Sequence, residues 1–212
     1  MNHITLLIIG AGPIGLSCAI AAKKNGISYK LIDKGCLVNS IHNFPDEMSF
    51  FSSSNNIEIG NIPFSSLSVR PTKQEALEYY RRVADYFELN IGLYESFSSI
   101  EDTEVENNIK KFKIETSKDT YTCNFIINAT GFYAIPILLN VIGENSPKVK
   151  HYFTTAHHLY KQNLAVIGAS NSAIDVALES YRKGALVSLI IRGDKIGDSV
   201  KYWVKPDIEN RI

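Results

Sequence analysis

The stretch IIGAGPIGLSCAI, residues 8–20, decides the fold of this 212-residue chain. Apolar residues 4–9 predict a buried parallel strand, and the Ala-rich residues after Gly15 predict a helix. Between them Gly10 permits a sharp turn, Gly12 lets the backbone approach a ligand, and Gly15 allows close packing of helix and strand. The pattern therefore predicts a Rossmann-like turn that holds a dinucleotide pyrophosphate at a helix N-terminus.

Four further positions belong to this predicted site. Pro13 costs little at the first helical position, because its missing N–H would have had no acceptor there. Ile14 completes the turn. Asp33 follows the next predicted strand, residues 29–32, where a carboxylate can hold a ribose hydroxyl, and Lys34 lies beside it. A glycine-rich structural turn with Asp33 as a solvated strand end is the alternative interpretation.

A second stretch, VIGASNSAIDVA at residues 166–177, repeats the strand, turn and helix. Gly168 is kept, and the small residues Ser170 and Ala173 stand where glycines are usual while still allowing backbone approach. A serine hydroxyl in this turn could donate to a phosphate. The cofactor contacts predicted here are Gly168, Ser170, Asn171 and Ser172.

The strand after the second helix, predicted at residues 187–191, ends at Arg192 rather than at an acid. A guanidinium suits a 2′-phosphate and leaves a bare ribose diol without its usual acceptor. The sequence therefore favours NADPH over NADH at the second turn. The alternative is that Arg192 and Lys195 are solvated charges with no ligand.

Two such turns in one chain predict electron transfer between two bound dinucleotides. A flavin at the first turn would take hydride from a nicotinamide at the second. The sequence Asn-Ala-Thr-Gly at residues 128–131 ends another predicted strand, and Thr130 and Gly131 could close over the first nucleotide. An ordinary glycine at a strand end is the alternative.

Composition limits the classes of partner. The chain has 22 basic and 22 acidic residues, so no excess charge would attract nucleic acid or an anionic membrane. No apolar run approaches the ~20 residues of a membrane span, and the N-terminus resembles a strand rather than a signal peptide. The three cysteines, Cys18, Cys36 and Cys123, are too few for a secreted disulfide framework. We therefore expect a cytoplasmic protein with reduced thiols.

Several stretches carry a resemblance to a known family. YTCNFIINATG at 121–131 resembles the second flavin-binding stretch of the two-dinucleotide flavoprotein reductases of the thioredoxin-reductase type. Within them the chain most resembles the bacillithiol-disulfide reductases. The stretches that carry this closer likeness are KGCLVNSIHNFP (34–45), MSFFSSS (48–54), EIGNIPF (58–64), PTKQEALEYYRRV (71–83), HYF with the following AH (151–157) and GASNSAIDVALE (168–179).

The resemblance implies FAD at the first turn, NADPH at the second, and Asn43 near the flavin ring. It implies an NADPH-dependent oxidoreductase that reduces a low-molecular-weight thiol disulfide. One departure concerns the thiol, because Ile14 stands where this family usually has a cysteine, in a GPCG sequence. We expect Cys18 to be a packed small side chain and Cys36 a loop residue, so no catalytic residue is assigned.

The fold class predicted is α/β, a Rossmann-like parallel sheet with an antiparallel β-meander, plus an incomplete second Rossmann-like domain. We expect an FAD-binding domain at 1–142, a linker at 143–162 and part of an NADPH-binding domain at 163–212. From Gly168 only 45 residues remain, too few for a complete domain of that type. In the resembling family the chain continues beyond this point and returns to cover the flavin, so the resemblance implies weak or absent flavin retention here. The exposed sheet edge after Ile191 would favour a homo-oligomer.

Other candidate features are weaker. The histidines His151, His157 and His158 lack partners at ligand spacing, so no metal is predicted. Four phenylalanines could wall a flavin ring or fill a small core: Phe44, Phe50, Phe51 and Phe64. A flavin monooxygenase is one alternative function, although HYFTTAHHLY lacks the Phe-x-Gly part of that family's motif. A nucleotide-binding remnant without catalysis is the other.

Overall fold

The computed structural model describes residues 2–102, 111–198 and 200–211, and it divides into two compact units. The first unit is Met1–Tyr152 and the second is Phe153–Ile212. This division falls inside the segment 143–162 that the sequence predicts to be a linker. Each predicted dinucleotide turn therefore lies in a unit of its own.

The first unit is built on one six-stranded sheet with the order β3-β2-β1-β6-β5-β4. Strands β1, β2, β3 and β6 run parallel. Strand β5 pairs antiparallel with β6, and β4 pairs antiparallel with β5, so these three strands form a meander. The strands are β1 (Asn2–Ile9), β2 (Tyr29–Ile32), β3 (Ile91–Gly92), β4 (Phe97–Asp102), β5 (Phe112–Thr116) and β6 (Thr120–Asn128). Because Ile9 pairs with both Ile32 and Asn128, the carboxyl ends of three strands meet at one edge.

Three helices accompany this sheet: α1 (Pro13–Lys24), α2 (Asn39–His42) and α3 (Lys73–Tyr86), with a 3-10 turn at Ser54–Ile57. Thr72 and Glu75 have capping-box spacing in the sequence, which predicts a helix start, and α3 begins there. The Thr72 hydroxyl accepts from the Glu75 N–H, and the Glu75 carboxylate accepts from the Thr72 N–H at 2.8 Å. Such reciprocal bonds satisfy two donors that a helix start leaves free.

The sheet is buried on both faces, as an apolar parallel strand requires. On one face Leu6 and Ile8 pack with the buried side of α1 and α3. On the other face Leu7 and Ile32 pack with Ile114 of the meander. Alternation along β1 therefore places neighbouring side chains in different cores.

The second unit is a single βαβ element, and the chain that follows β8 packs over it. It contains β7 (Asn163–Ile167), α4 (Asn171–Arg182), β8 (Leu186–Ile190) and α5 (Lys205–Glu209), with a 3-10 turn at His157–Leu159. Strands β7 and β8 are parallel. Ile196, Val200 and Ile208 from the last segment pack on α4 residues, so the chain after β8 covers this small core.

Within residues 2–102, 111–198 and 200–211, no helix has the length and apolar character needed to cross a bilayer.

Candidate functional site

The first turn, residues 10–15, is so tight that two of its glycines are required by packing. Gly10 has a φ of +108°, and a Cβ on it would lie 2.4 Å from the Ala129 carbonyl oxygen. A Cβ on Gly15 would lie 1.8 Å from the Gly10 oxygen. Both clashes are with backbone, so neither can be relieved by moving a side chain.

Gly12 differs from its two neighbours. It is the N-cap of α1, with an ordinary φ of −78°, and a Cβ placed on it would meet no atom within 4 Å. The fold itself therefore does not need a glycine at this position. The place that a Cβ would take at Gly12 is open space, beside a helix start whose first N–H groups have no acceptors within the helix. That space is where an anion would be held.

Asp33 lies against this turn. One carboxylate oxygen accepts from the Ala11 N–H at 2.7 Å, and the other accepts from the Gly35 N–H at 2.8 Å. The side chain is half-buried, and each oxygen keeps a further lone pair. The acid therefore fixes the turn through two backbone N–H groups and keeps the capacity to accept a further hydrogen bond. Lys34 is exposed next to it.

Thr130 and Gly131 lie beside the first turn, after β6. A Cβ on Gly10 would be 2.9 Å from the Thr130 nitrogen, which shows how closely the two loops approach. The Thr130 hydroxyl donates to the Asn128 side chain at 2.8 Å. Gly131 has a φ of +69° with open space around it, so the chain turns away there without a side chain. The structure thus brings the two predicted nucleotide segments together.

Asn43 caps α2 and is exposed. Its backbone oxygen accepts from the Tyr133 hydroxyl at 3.2 Å, which links it to the chain just after Gly131. The start of the same segment is linked to the first turn, since the Val38 N–H donates to the Ala11 oxygen at 3.0 Å. Asn43 is therefore tied to both nucleotide segments of the first unit through short connections.

The second turn is more loosely built. Gly168 has a φ of +132°, and a Cβ on it would lie 3.2 Å from the Ala173 Cβ, a tight contact with a side chain rather than with backbone. Ser170 is the N-cap of α4, and its side chain makes no capping bond. Ser172 is exposed, while the Asn171 side chain accepts from the Lys201 N–H at 2.9 Å. Asn171 is therefore already engaged in holding the covering segment.

Arg192 is exposed two residues after β8. The Gly168 N–H donates to the Ile190 oxygen at 2.9 Å, so the end of β8 lies directly beside the second turn. The structure thus places Arg192 near the helix start that the sequence assigns to NADPH. Its guanidinium is accessible to a phosphate from solvent.

The exposed position in the first turn is occupied by an isoleucine rather than by a cysteine. Ile14 is 68% exposed. Cys18, one helical turn later, packs against the core of the first unit. Burial raises the pKa of the Cys36 thiol, and the nearby Asp33 carboxylate raises it further. Burial likewise raises the pKa of Cys123, which is fully enclosed. Neither of these two thiols is held as a reactive thiolate.

Sequence reasoning missed two buried charged residues. The Lys73 ammonium donates to the Phe44 oxygen and to the Asp46 carboxylate, both at 2.8 Å. The Glu95 carboxylate accepts from Tyr121 at 2.9 Å and from Thr116 at 2.8 Å. Each pair is distant in sequence, so no local pattern could have indicated these contacts.

The four phenylalanines offered for a flavin wall have different environments. Phe64 is buried and its ring lies parallel to Tyr79 with centroids 4.2 Å apart, so it belongs to the core. Phe44 contacts Tyr133 edge to face at 4.8 Å.

Among the described residues, no group of three or more histidine, cysteine, aspartate or glutamate side chains could hold a metal ion.

Comparison with known proteins gives a consistent result. Residues 7–212 match a family described as pyridine nucleotide-disulphide oxidoreductase. The chain is 42% identical over 203 residues to the bacilliredoxin reductase Bdr of Bacillus subtilis (strain 168), covering 96% of this chain and 61% of that protein. It is 27% identical over 199 residues to the indole-3-pyruvate monooxygenase YUCCA6 of Arabidopsis thaliana, covering 88% of this chain and 47% of that protein.

A solved structure agrees with the first of these. The bacillithiol disulfide reductase Bdr (YpdA) from Staphylococcus aureus superposes with a TM-score of 0.94 and 40% identity, covering 99% of this chain and 64% of that chain. The Rossmann-like α/β fold class and the family resemblance are confirmed. This chain spans less than two thirds of the length of these reductases, and the monooxygenase is the more distant relative.

Proposed function

Because the chain belongs to the pyridine nucleotide-disulphide oxidoreductase family, we propose that it acts as an FAD-containing, NADPH-dependent reductase of a low-molecular-weight disulfide. The relatives named for bacilliredoxin reduction and bacillithiol disulfide reduction support this substrate class. Their similarity extends over nearly the whole chain, whereas the monooxygenase likeness is weaker. Activity, substrate and partners of the whole enzyme are part of the proposal.

The observation that carries the proposal is the open space at Gly12. Gly10 and Gly15 are glycines because an added Cβ would collide with backbone, whereas a Cβ on Gly12 would meet no atom within 4 Å. A bare backbone facing empty space at a helix start is what a pyrophosphate requires. The residues present therefore fit a dinucleotide, with Pro13 and Ile14 completing the turn.

In this proposal the first unit holds FAD. The N–H groups after Gly12 bind the pyrophosphate, Asp33 accepts a ribose hydroxyl, Thr130 and Gly131 flank the flavin side, and Asn43 stays near the ring. These residues belong to the FAD-binding domain proposed at 1–142. The exposed Lys34, next to Asp33, is a further proposed contact of the cofactor. When bound, FAD supplies the chemistry of accepting hydride and passing two electrons onward.

The second unit holds NADPH in this proposal, in the incomplete domain at 163–212, after the linker at 143–162. Gly168 and Ser170 admit the pyrophosphate, and the Ser172 hydroxyl donates to it. Arg192 binds the 2′-phosphate, which supports NADPH rather than NADH. Asn171 shapes the turn through its bond to Lys201.

A second candidate function is nucleotide binding without disulfide reduction. Ile14 supports it, because this exposed position in the first turn carries no thiol that could react with a disulfide. The raised pKa of the Cys36 thiol supports it as well, because a protonated thiol attacks a disulfide slowly. The two candidates share the cofactor sites and differ in the last step alone.

We further propose a cytoplasmic location, supported by the three free cysteines, with no nucleic-acid or membrane partner. A homo-oligomer is part of the proposal. It is supported by the outer edge of β8, where Leu186 and Ile190 are exposed.

The test uses the purified 212-residue chain, titrated with FAD under anaerobic conditions and then given NADPH. A reductase binds FAD, loses the flavin absorbance on addition of NADPH and regains it on addition of bacillithiol disulfide. Bleaching without recovery by the disulfide favours the second candidate. No change in the FAD signal at millimolar FAD contradicts both.

A further inference from the structure

Residues 38–50, which we call the strap, form a segment that is hydrogen-bonded to the rest of the first unit at both ends. At its start, Val38 has a φ of +47°, a conformation that is strained for a β-branched residue. Its N–H donates to the Ala11 oxygen within the first turn. At its end, the Phe50 N–H donates to the Pro71 oxygen at 2.9 Å, just before α3.

The strap is anchored in the middle by one buried ammonium. The Lys73 side chain is only 6% exposed, and its charge is balanced by Asp46 at 2.8 Å. It also donates to the Phe44 oxygen at 2.8 Å. The Lys73 backbone N–H adds a bond to the Met48 oxygen at 3.2 Å. A single residue at the first turn of α3 therefore holds the strap at three places.

A buried lysine is costly unless its charge is paired and hydrogen-bonded. Another residue could have filled this space without that cost, so the anchor needs a reason beyond packing. The anchored residues directly follow Asn43, whose backbone oxygen accepts from Tyr133 at 3.2 Å. Phe44 also packs against Tyr133. Lys73 therefore fixes the part of the strap that meets the chain after Gly131.

From this geometry we infer that Lys73 is a positioning residue of the first dinucleotide site, holding the strap so that Asn43 stays at the flavin end of the bound cofactor. This inference rests on the proposed function. The described hydrogen bonds and ion pair of the Lys73 side chain go to the strap. Lys73 acts through Phe44 and Asp46 on their neighbour Asn43.

The variant that tests this is Lys73→Met, which keeps the apolar stem and removes the charge. Asp46 is more than half exposed, so its carboxylate can return to water without a large penalty. The Phe44 oxygen loses its donor. Gln74→Met is the matched control, because Gln74 is the exposed next residue of the same helix turn.

Two ligands separate a positioning role from a structural one. ADP contains the part of FAD that would contact the first turn and Asp33 but lacks the flavin end. We expect Lys73→Met to weaken FAD binding roughly tenfold, and ADP binding by less than about twofold, in equilibrium titrations. Combining it with Asn43→Ala should weaken FAD binding no further than Asn43→Ala alone. Equal losses for FAD and ADP would overturn the inference.

Hydrogen exchange tests the anchor without any ligand. In Lys73→Met the amides of residues 43–50 should exchange roughly tenfold faster, while Gln74→Met exchanges as the wild type does. Unchanged exchange in Lys73→Met refutes the anchoring role whatever the ligands do. If the wild-type chain binds ADP and FAD equally weakly or not at all, the proposed function fails instead, and the exchange result still decides the anchor.

Discussion

The two turns of this protein have similar sequences, but the first is packed more tightly than the second. In the first unit, Gly10 and Gly15 are surrounded by backbone, so an added Cβ would lie 2.4 Å or 1.8 Å from a carbonyl oxygen. In the second unit, Ala173 occupies the place of the third glycine, and the closest contact of an added Gly168 Cβ is 3.2 Å. Helix and strand thus approach more closely in the first turn.

The difference teaches what each glycine is for. In the first turn, Gly10 and Gly15 are enclosed by backbone and serve packing, whereas the fold does not require Gly12, which leaves its place open for the proposed ligand. The first turn contains both kinds within six residues, while the second turn replaces the packing glycine by alanine. Substitutions at matching positions can therefore separate stability from binding.

The largest expected effect comes from Gly15→Ala. Its methyl group would collide with the Gly10 oxygen, so helix and strand must separate, at a cost of at least about 3 kcal/mol. The matched change in the second unit, Ala173→Gly, should cost about 1 kcal/mol, the usual price of glycine inside a helix. Urea unfolding followed by far-UV circular dichroism measures both. Equal losses would show that the two turns are packed alike.

A smaller effect is expected for Arg192→Ala, which probes the ligand of the second turn. Loss of a guanidinium from a 2′-phosphate should weaken NADPH binding roughly tenfold to hundredfold and leave NADH binding unchanged. Lys195→Ala removes an equal charge from the same exposed segment and serves as the control. A parallel loss for both cofactors, or an equal effect of Lys195→Ala, would show that Arg192 is a solvated charge.

The two units should also respond to acid in opposite directions. Backbone N–H bonds from Thr72 and Leu67 lower the pKa of Glu75 to about 2, so its stabilisation is complete above 4.5 and disappears as the pH falls towards 2. Burial raises the pKa of Asp175 to about 6, although Arg182 opposes the shift. Its protonated form is favoured in the folded state. The contribution of Asp175 to the stability of the second unit is therefore greatest below pH 3.8. It is lost as the pH rises through 6.

Asp175→Asn checks this difference. It should stabilise the second unit by about 1 kcal/mol at pH 7, after allowance for partial solvent screening, and flatten its pH dependence between 4 and 6. The single tryptophan, Trp203, lies in the second unit, so its fluorescence reports that unit during urea unfolding. A pH dependence that survives the substitution would assign the effect to another group. Glu75→Gln should leave this fluorescence transition unchanged.

Local patterns explain which parts of the fold could be predicted from the sequence. The first strand, turn and helix follow from an apolar run and glycine spacing, and the capping box at Thr72 follows from two residues three apart. The alternation of apolar and polar residues at 112–116 and 121–125 predicts two meander strands, and the structure has them as β5 and β6. Strand β4, with the sequence FSSIED, was missed because it is mostly polar and exposed. Helix α5 was missed because it is only five residues long.

The parts of the site that escaped prediction depend on contacts between distant residues. The burial of Lys73 depends on a carbonyl 29 residues away, and a lysine at a helix start ordinarily points to solvent. Phe64 could have walled a ligand, but its partner Tyr79 on α3 places it in the core. The spacing of glycines predicts where a turn lies, and the packing around each one shows whether the fold requires a glycine there.

The decisive experiment is an FAD titration of Gly12→Ala. Because a Cβ at Gly12 would meet no protein atom within 4 Å, we expect unchanged urea stability and at least roughly tenfold weaker FAD binding, since the methyl group would occupy the pyrophosphate space. Gly193→Ala, also without neighbours within 4 Å, should change neither quantity. Wild-type FAD affinity in Gly12→Ala would contradict the claim that the first turn cradles a dinucleotide.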